Sequence, residues 1–220
     1  RNLETWRCLS RMPSTTKEII FLHGTGQSAL SYEFFRVFLP EHNAHCLEYN
    51  VQQDFHKIVD DCYNYYLENL EGKQVYVVGH SYGCLIGIHL AMRLGSYVES
   101  FISLSAPWKG SRTAKWLNMV FRQSTLFQNT RPDSDIIQSL SAFDNDFQIT
   151  NIITTGPTSG GNVLAGFGQE KNDGTLTVLT QKSYPDNFKN VTNIKFPLSH
   201  NEVLLSYDVV NILKEEIFNE

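Results

Sequence analysis

Short apolar runs rich in β-branched and aromatic residues recur along this chain, and most are followed by a longer segment with apolar residues at helical spacing. The runs "KEIIFLHG" (17–24), "AHCLEYN" (44–50), "KQVYVVGH" (73–80), "YVESFISLSAP" (97–107), "DFQITNIITTG" (146–156) and "NVTNIKFP" (190–197) read as strands, and "ETWRCLSR" (4–11) fits an edge strand. Helices are expected at Ser31–Leu39, stopped by Pro40, over residues 51–70, at Tyr82–Leu94 and at Asn201–Phe218. In the second of these, Phe55, Ile58, Val59, Cys62, Tyr66 and Leu70 share one face, and Gly72 ends the helix. Near-continuous apolar strands alternating with amphipathic helices predict an α/β fold, with a mostly parallel sheet covered on both faces. A chain of 220 residues suits one sizeable core, so a single domain over 1–220 is expected.

Residues 108–145 break the alternation. They contain no convincing strand and carry Trp108, Trp116, Leu117, Met119, Val120, Phe121, Leu126 and Phe127. This block reads as a partly helical insertion, a lid or cap. Ala114, Leu117 and Phe121 share one helical stripe, widened by Trp116 and Val120. With Trp108 at its root, such a surface suits the wall of an apolar acyl-binding cleft, and it could also be ordinary core. A second irregular stretch, 157–174, is rich in glycine.

Composition excludes several classes. The net charge is −5 and no basic block occurs, which argues against nucleic-acid binding. No apolar run approaches the ~18 residues of a membrane span. None of the four cysteines, Cys8, Cys46, Cys62 and Cys84, forms a C-x-x-C pair, so neither a zinc nor a redox motif is expected. Cys84 reads as a packed apolar residue, while one bridge among the other three stays open. The chain reads as soluble, with the cytoplasm as the default compartment; it starts at Arg1 rather than Met, which leaves secretion open.

The chemistry centres on "GHSYG" (79–83), a G-x-S-x-G pattern between a buried strand and a helix. A serine on such a sharp strand-to-helix turn stands above the carboxyl edge of a sheet, at the positive end of the following helix. Ser81 is therefore the candidate nucleophile, the alternative being a small residue in a tight turn. A serine needs a base, and His200, after the last strand, has the right address among seven histidines. The acid should lie between them. Asp133, Asp135, Asp144 and Asp146 come too early and Asp186 sits in a surface turn, so Asp173 in "NDG" is the candidate. The oxyanion donors are assigned to the amide of Tyr82, after the nucleophile, and that of Thr25 in "HGTGQS" (23–28). A dinucleotide-binding loop is the weaker reading of that glycine-rich stretch.

Taken together, "HGTG" (23–26), "GHSYG" (79–83), "APWKGS" (106–111), "PDSDIIQSL" (132–140), "NDG" (172–174) and "PLSHNEVL" (197–204) resemble the α/β-hydrolases, and within them the bacterial lipase group. The resemblance spans roughly residues 20–210 and is carried by the joint order of the motifs. It implies carboxylester hydrolysis, usually of lipid esters, with no organic cofactor. Some larger lipases of this kind bind calcium near the base; no carboxylate pair for that is visible here, so no metal is expected. The expected partner is a small-molecule or lipid ester, with transient contact to a lipid surface through the lid. Thioesterase, lysophospholipase and acyltransferase activities use the same machinery, and a non-catalytic hydrolase scaffold is the alternative of a different class.

Overall fold

The structure, a computed structural model, describes residues 16–40, 42–110, 124–156 and 170–219. Six strands form one sheet: β1 (Lys17–Leu22), β2 (His42–Leu47), β3 (Val75–His80), β4 (Val98–Leu104), β5 (Gln148–Thr154) and β6 (Val191–Phe196). All neighbouring pairs are parallel, in the order β2-β1-β3-β4-β5-β6. The helices are α1 (Glu33–Phe38), α2 (Phe55–Asn69), α3 (Tyr82–Leu94), α4 (Thr125–Asn129), α5 (Asp135–Ser139), α6 (Val178–Lys182) and α7 (Tyr207–Phe218).

The strands are apolar on both sides because both sides are buried. Ile20 and Leu22 of β1, with Val75 and Val77 of β3, face a core shared with α2 and α3. Their alternating neighbours Ile19, Phe21, Tyr76 and Val78 face a second core built by Phe35 of α1 and by Val209, Val210, Leu213 and Ile217 of α7. Side chains alternate across a strand, so a strand with a core on each face must be apolar throughout.

Expected and observed boundaries differ for identifiable reasons. The segment over 51–70 becomes helical only at Phe55, because the Asp54 carboxylate accepts the Lys57 N–H at 3.0 Å and caps the first turn. β2 ends at Leu47. The next residues leave the ladder to hold the loop after β1: Glu48 Oε2 accepts the Ala29 N–H and the Tyr49 hydroxyl donates to His23 O. Helix α6 was not expected; five residues are too few to show a period, and the Thr177 side chain caps it at Thr180 N.

The described part of the 108–145 block packs into the molecule. Leu126, Ile136, Ile137 and Leu140 join the first core. Trp108 requires a correction: it belongs to that core and not to a lid. It is 1% exposed, packs edge-on against Phe101 and Phe188, and donates its indole N–H to Asn151 Oδ1 at 3.0 Å. Trp116, Leu117, Val120 and Phe121 lie outside the described residues, as do Cys8 and the segment 4–11. Cys46, Cys62 and Cys84 are free thiols. Among the described residues, no helix is long and apolar enough to cross a membrane.

Candidate active site

The strand order reverses at β1. From β1 the chain steps outward to β2, then returns across β1 to β3 on the other side. Such a switch point opens a crevice at the carboxyl ends of the two strands. Leu22 and Gly79 are register partners, so the loop after β1 and the turn after β3 emerge side by side.

Ser81 occupies that turn at φ 52 and ψ −121, a backbone conformation that an L residue rarely adopts. The strained turn is held by Ser81 N–H donating to Leu104 O on β4 and by Cys84 N–H donating to Ser81 O. It also needs glycine at position 83, since a Cβ there would lie 2.0 Å from Leu22 O. Tyr82 opens α3, and amides in the first turn of a helix have no intrahelical acceptor. Its ring is buried and its hydroxyl accepts from Asn129 Nδ2.

The exposed residue Thr25 lies on the loop after β1. That loop runs hard against the Ser81 turn: a Cβ added to Gly24 would stand 3.0 Å from the Ser81 Cβ. Gln27 braces the approach. Its Oε1 accepts the Gly24 N–H at 2.9 Å and lies 2.8 Å from His80 Nδ1, while its Nε2 donates to Asn201 Oδ1.

His200 follows β6 and is 7% exposed. Its Nε2 lies 2.9 Å from Ser81 Oγ and its Nδ1 2.7 Å from Asp173 Oδ2. A carboxylate can only accept, so Nδ1 carries the hydrogen and Nε2 is left to accept from the serine hydroxyl. A further bond from His200 N–H to Asp173 O, 3.0 Å, fixes the two backbones together. The structure thus brings Ser81, His200 and Asp173 into one continuous chain, with Thr25 and Tyr82 on the two segments that border it.

Asp173 is fully buried. Burial pushes its carboxyl up, but the His200 hydrogen bond and charge, the Leu176 amide and the Thr154 hydroxyl outweigh it, and the group sits below the usual carboxylate range. Oδ1 accepts from the amides of Thr175 and Leu176, and Oδ2 from Thr154 Oγ1 at 2.6 Å and Gln181 Nε2 at 3.1 Å. His80, beside Ser81, is driven the other way: burial, then the neighbouring His200, push it down to about 3.

Thr154, Gln181, Ser105 and Gln27 escape a reading by motif. One signal in the sequence does point to two of them: polar residues where apolar strands end, Ser105 after "FISL" and Thr154 in "NIITTG". Among the described residues, no group of three or more His, Cys, Asp or Glu side chains is arranged to hold a metal ion.

Comparison with known proteins agrees with this architecture. The model of the alpha/beta hydrolase family matches residues 19–150, more than half of the chain. Mouse (Mus musculus) phosphatidylcholine-sterol acyltransferase is 36% identical over 69 residues, which are 27% of this chain and 15% of that longer protein. Among solved structures, the mature form of Bacillus licheniformis lipase BlEst2 superposes with a TM-score of 0.64 at 14% identity, covering 93% of each chain. The NocB thioesterase domain, in covalent complex with a fluorophosphonate nocardicin G analog, superposes with a TM-score of 0.60 at 12% identity, covering 91% of this chain and 94% of its own. At these identities the structural likeness speaks for the fold.

Proposed function

The chain belongs to the alpha/beta hydrolase family, and on that premise we propose that it is a serine carboxylester hydrolase acting on acyl esters with lipid-like character. One observation carries the reading: Ser81 Oγ, His200 and Asp173 are joined by contacts of 2.9 and 2.7 Å at a strained strand-to-helix turn.

In this reading Ser81 attacks the ester carbonyl as His200 Nε2 takes its proton. The amides of Thr25 and Tyr82 hold the oxyanion, helped by the N-terminus of α3. Asp173 keeps the imidazole in the Nδ1–H tautomer and stabilises the imidazolium. His200 then protonates the leaving alcohol, and a water that it activates releases the acid. The acyl preference is supported by the apolar stripe of Trp116, Leu117, Val120 and Phe121 in the sequence, and by a likeness to a protein named as a lipase. The same stripe would make transient contact with a lipid surface.

The local identity with an acyltransferase favours a second outcome for the same acyl-enzyme, in which an alcohol replaces water as the acceptor. The test is hydrolysis of p-nitrophenyl esters from acetate to palmitate by wild type and Ser81→Ala, repeated with added alcohol. Turnover that vanishes in Ser81→Ala supports the reading, and the chain-length optimum sizes the acyl cleft. Equal use of short and long esters by wild type and by Trp116→Ala would remove the acyl-cleft assignment. A wild type that neither turns over esters nor accepts a fluorophosphonate label on Ser81 would remove the nucleophile.

A further inference from the structure

Behind Asp173 lies a buried polar cluster that the reaction as described does not use. Ser105, Thr154 and Gln181 are each fully buried, and they come from the end of β4, the end of β5 and helix α6. Each side chain is bonded to another of the three or to Asp173. The hydrogen polarity of the cluster follows from two groups that cannot be reversed.

The first is the backbone N–H of Thr154, which can only donate. It points to a Gln181 side-chain atom at 2.9 Å, so that atom is Oε1. The amide cannot flip, and its NH₂ end faces Thr154 O at 3.1 Å and Asp173 Oδ2 at 3.1 Å. The second is the Asp173 carboxylate, which can only accept. The Thr154 hydroxyl has one hydrogen, and its shortest contact, 2.6 Å, is with Asp173 Oδ2. That hydrogen therefore goes to the carboxylate, and the Ser105 hydroxyl, 2.7 Å from Thr154 Oγ1, must donate into it.

The result is a one-way chain from Ser105 to Thr154 to Asp173, with Gln181 donating in parallel. Asp173 Oδ2 receives three donors, counting His200 Nδ1, and Oδ1 receives two amides. Neither oxygen has room for a proton of its own without facing a donor. Ser105 is also held at φ 55, so the start of the chain is strained as well as buried. Strain persists at a buried position only where its surroundings over-determine it. The backbone of Gln181 is itself anchored, since Gln181 O accepts from Asn151 Nδ2 at 3.0 Å.

We propose that Ser105, Thr154 and Gln181 are positioning residues that hold Asp173 ionised and aimed at His200 Nδ1. This rests on the reading of Asp173 and His200 as acid and base. The donors spread the negative charge of the carboxylate. Removing one leaves a more basic carboxylate that holds a cationic partner more strongly, so the acid limb of turnover moves to higher pH. Among the described residues, the titratable groups near this pair are His80, whose ring centre is 4.9 Å from that of His200, and Glu202, which accepts the N–H of Ser199, the residue before His200.

The test uses the intact chain with Thr154→Val, which keeps the shape and deletes the hydroxyl, Thr154→Ser, which keeps the hydroxyl, and Gln181→Met. Two readouts are taken: the pH profile of p-nitrophenyl ester turnover, and the low-field proton resonance of the His200 Nδ1–H, which needs no substrate. Thr154→Val and Gln181→Met are each expected to lower kcat by about 10-fold or more, the scale of one lost hydrogen bond to a charged group, with KM little changed. Both should move the acid limb to higher pH and displace the resonance, and Thr154→Ser should restore wild-type behaviour. If Thr154→Val does not fold, Ser105→Ala removes the donor one step back and should give a smaller displacement of the same sign. The proposal is overturned if the resonance and acid limb stay at their wild-type positions in the folded variants, or if Thr154→Ser is impaired as much as Thr154→Val. A wild type without esterase activity defeats the functional reading instead, and the resonance alone then decides the positioning role.

Discussion

His80 Nε2 lies 2.8 Å from the backbone carbonyl oxygen of His200, so the residue before Ser81 is tied directly to the residue whose imidazole meets the Ser81 hydroxyl. Gln27, in contact with the same imidazole, links this pair to the loop after β1. Three chain segments far apart in sequence are thereby fixed to one another at the carboxyl edge of the sheet. This arrangement sets the expectations below.

Ser81 is strained, and its replacement should show it. A non-glycine residue in a sparsely populated backbone region costs roughly 1–3 kcal/mol. Glycine adopts φ 52 without that strain, against an entropic loss of roughly 0.5–1 kcal/mol. Ser81→Gly should therefore abolish ester turnover while raising unfolding stability by about 1 kcal/mol. Urea denaturation of both proteins checks it; a destabilised Ser81→Gly would mean that the turn is not under strain.

Two glycines border the site and should fail differently. A Cβ at Gly83 would meet the backbone oxygen of Leu22 at 2.0 Å, and a strand backbone cannot move aside. Gly83→Ala is expected to destabilise by more than about 3 kcal/mol and to lose soluble expression. At Gly24 the added Cβ meets Ser81 Cβ at 3.0 Å and the Gln27 and His80 side chains at 3.1 Å. Gly24→Ala should keep most of its stability but lower kcat by ~10²–10³, the scale of a displaced oxyanion donor. Melting curves and steady-state kinetics separate the two cases.

Asp173→Asn keeps shape and removes charge. The carboxamide no longer dictates an Nδ1–H tautomer on His200, so the loss should fall on kcat and reach ~10⁴. A change confined to KM would place Asp173 in substrate binding instead.

Stability should fall in mild acid. Burial pushes His80 down to about 3 and His89 down to about 4, while both take up a proton near ~6.5 when unfolded. Between these values the unfolded chain binds more protons, so unfolding free energy rises with pH from about 4 to about 6.5. His89→Gln should flatten part of this slope in urea denaturation at a series of pH values. Asp173 contributes at lower pH: its depressed carboxyl adds stability above ~3.9 that is lost as pH falls toward its folded value.

Trp108→Phe tests the packing role found for this residue. The variant leaves Asn151 Oδ1 with Ser103 as its remaining side-chain donor and should cost about 1–2 kcal/mol. The ester chain-length preference should not change. An altered preference with unaltered stability would put Trp108 back at the acyl cleft.

The fold was legible because burial on both faces writes an unmistakable pattern. Val75–His80 could hardly be anything but a central strand, and the glycines around Ser81 announced the sharp turn that follows it. His200 is singled out by its place after the last strand and Asp173 by elimination together with the turn at Gly174, and the two side chains lie 2.7 Å apart. What the sequence hid is of one kind. The partners of Asp173 lie 8 residues away at Gln181 and 19 at Thr154, and they are recognisable only once two strand ends and a short helix converge. Trp108 was misplaced for a related reason: apolar character does not say which apolar surface a side chain will join. Its indole N–H found an acceptor on Asn151, 43 residues later.

The order of the strands carries one last implication. The Ser81 turn and the loop bearing Thr25 need β1, β3, α3 and, through Leu104, β4, while Asp173 and His200 arrive only with the segment beyond β5. A chain that ended after β5 would keep Ser81 with nothing to withdraw its proton. Reactivity at Ser81 is thus a stringent gauge of whether both halves of the molecule are docked.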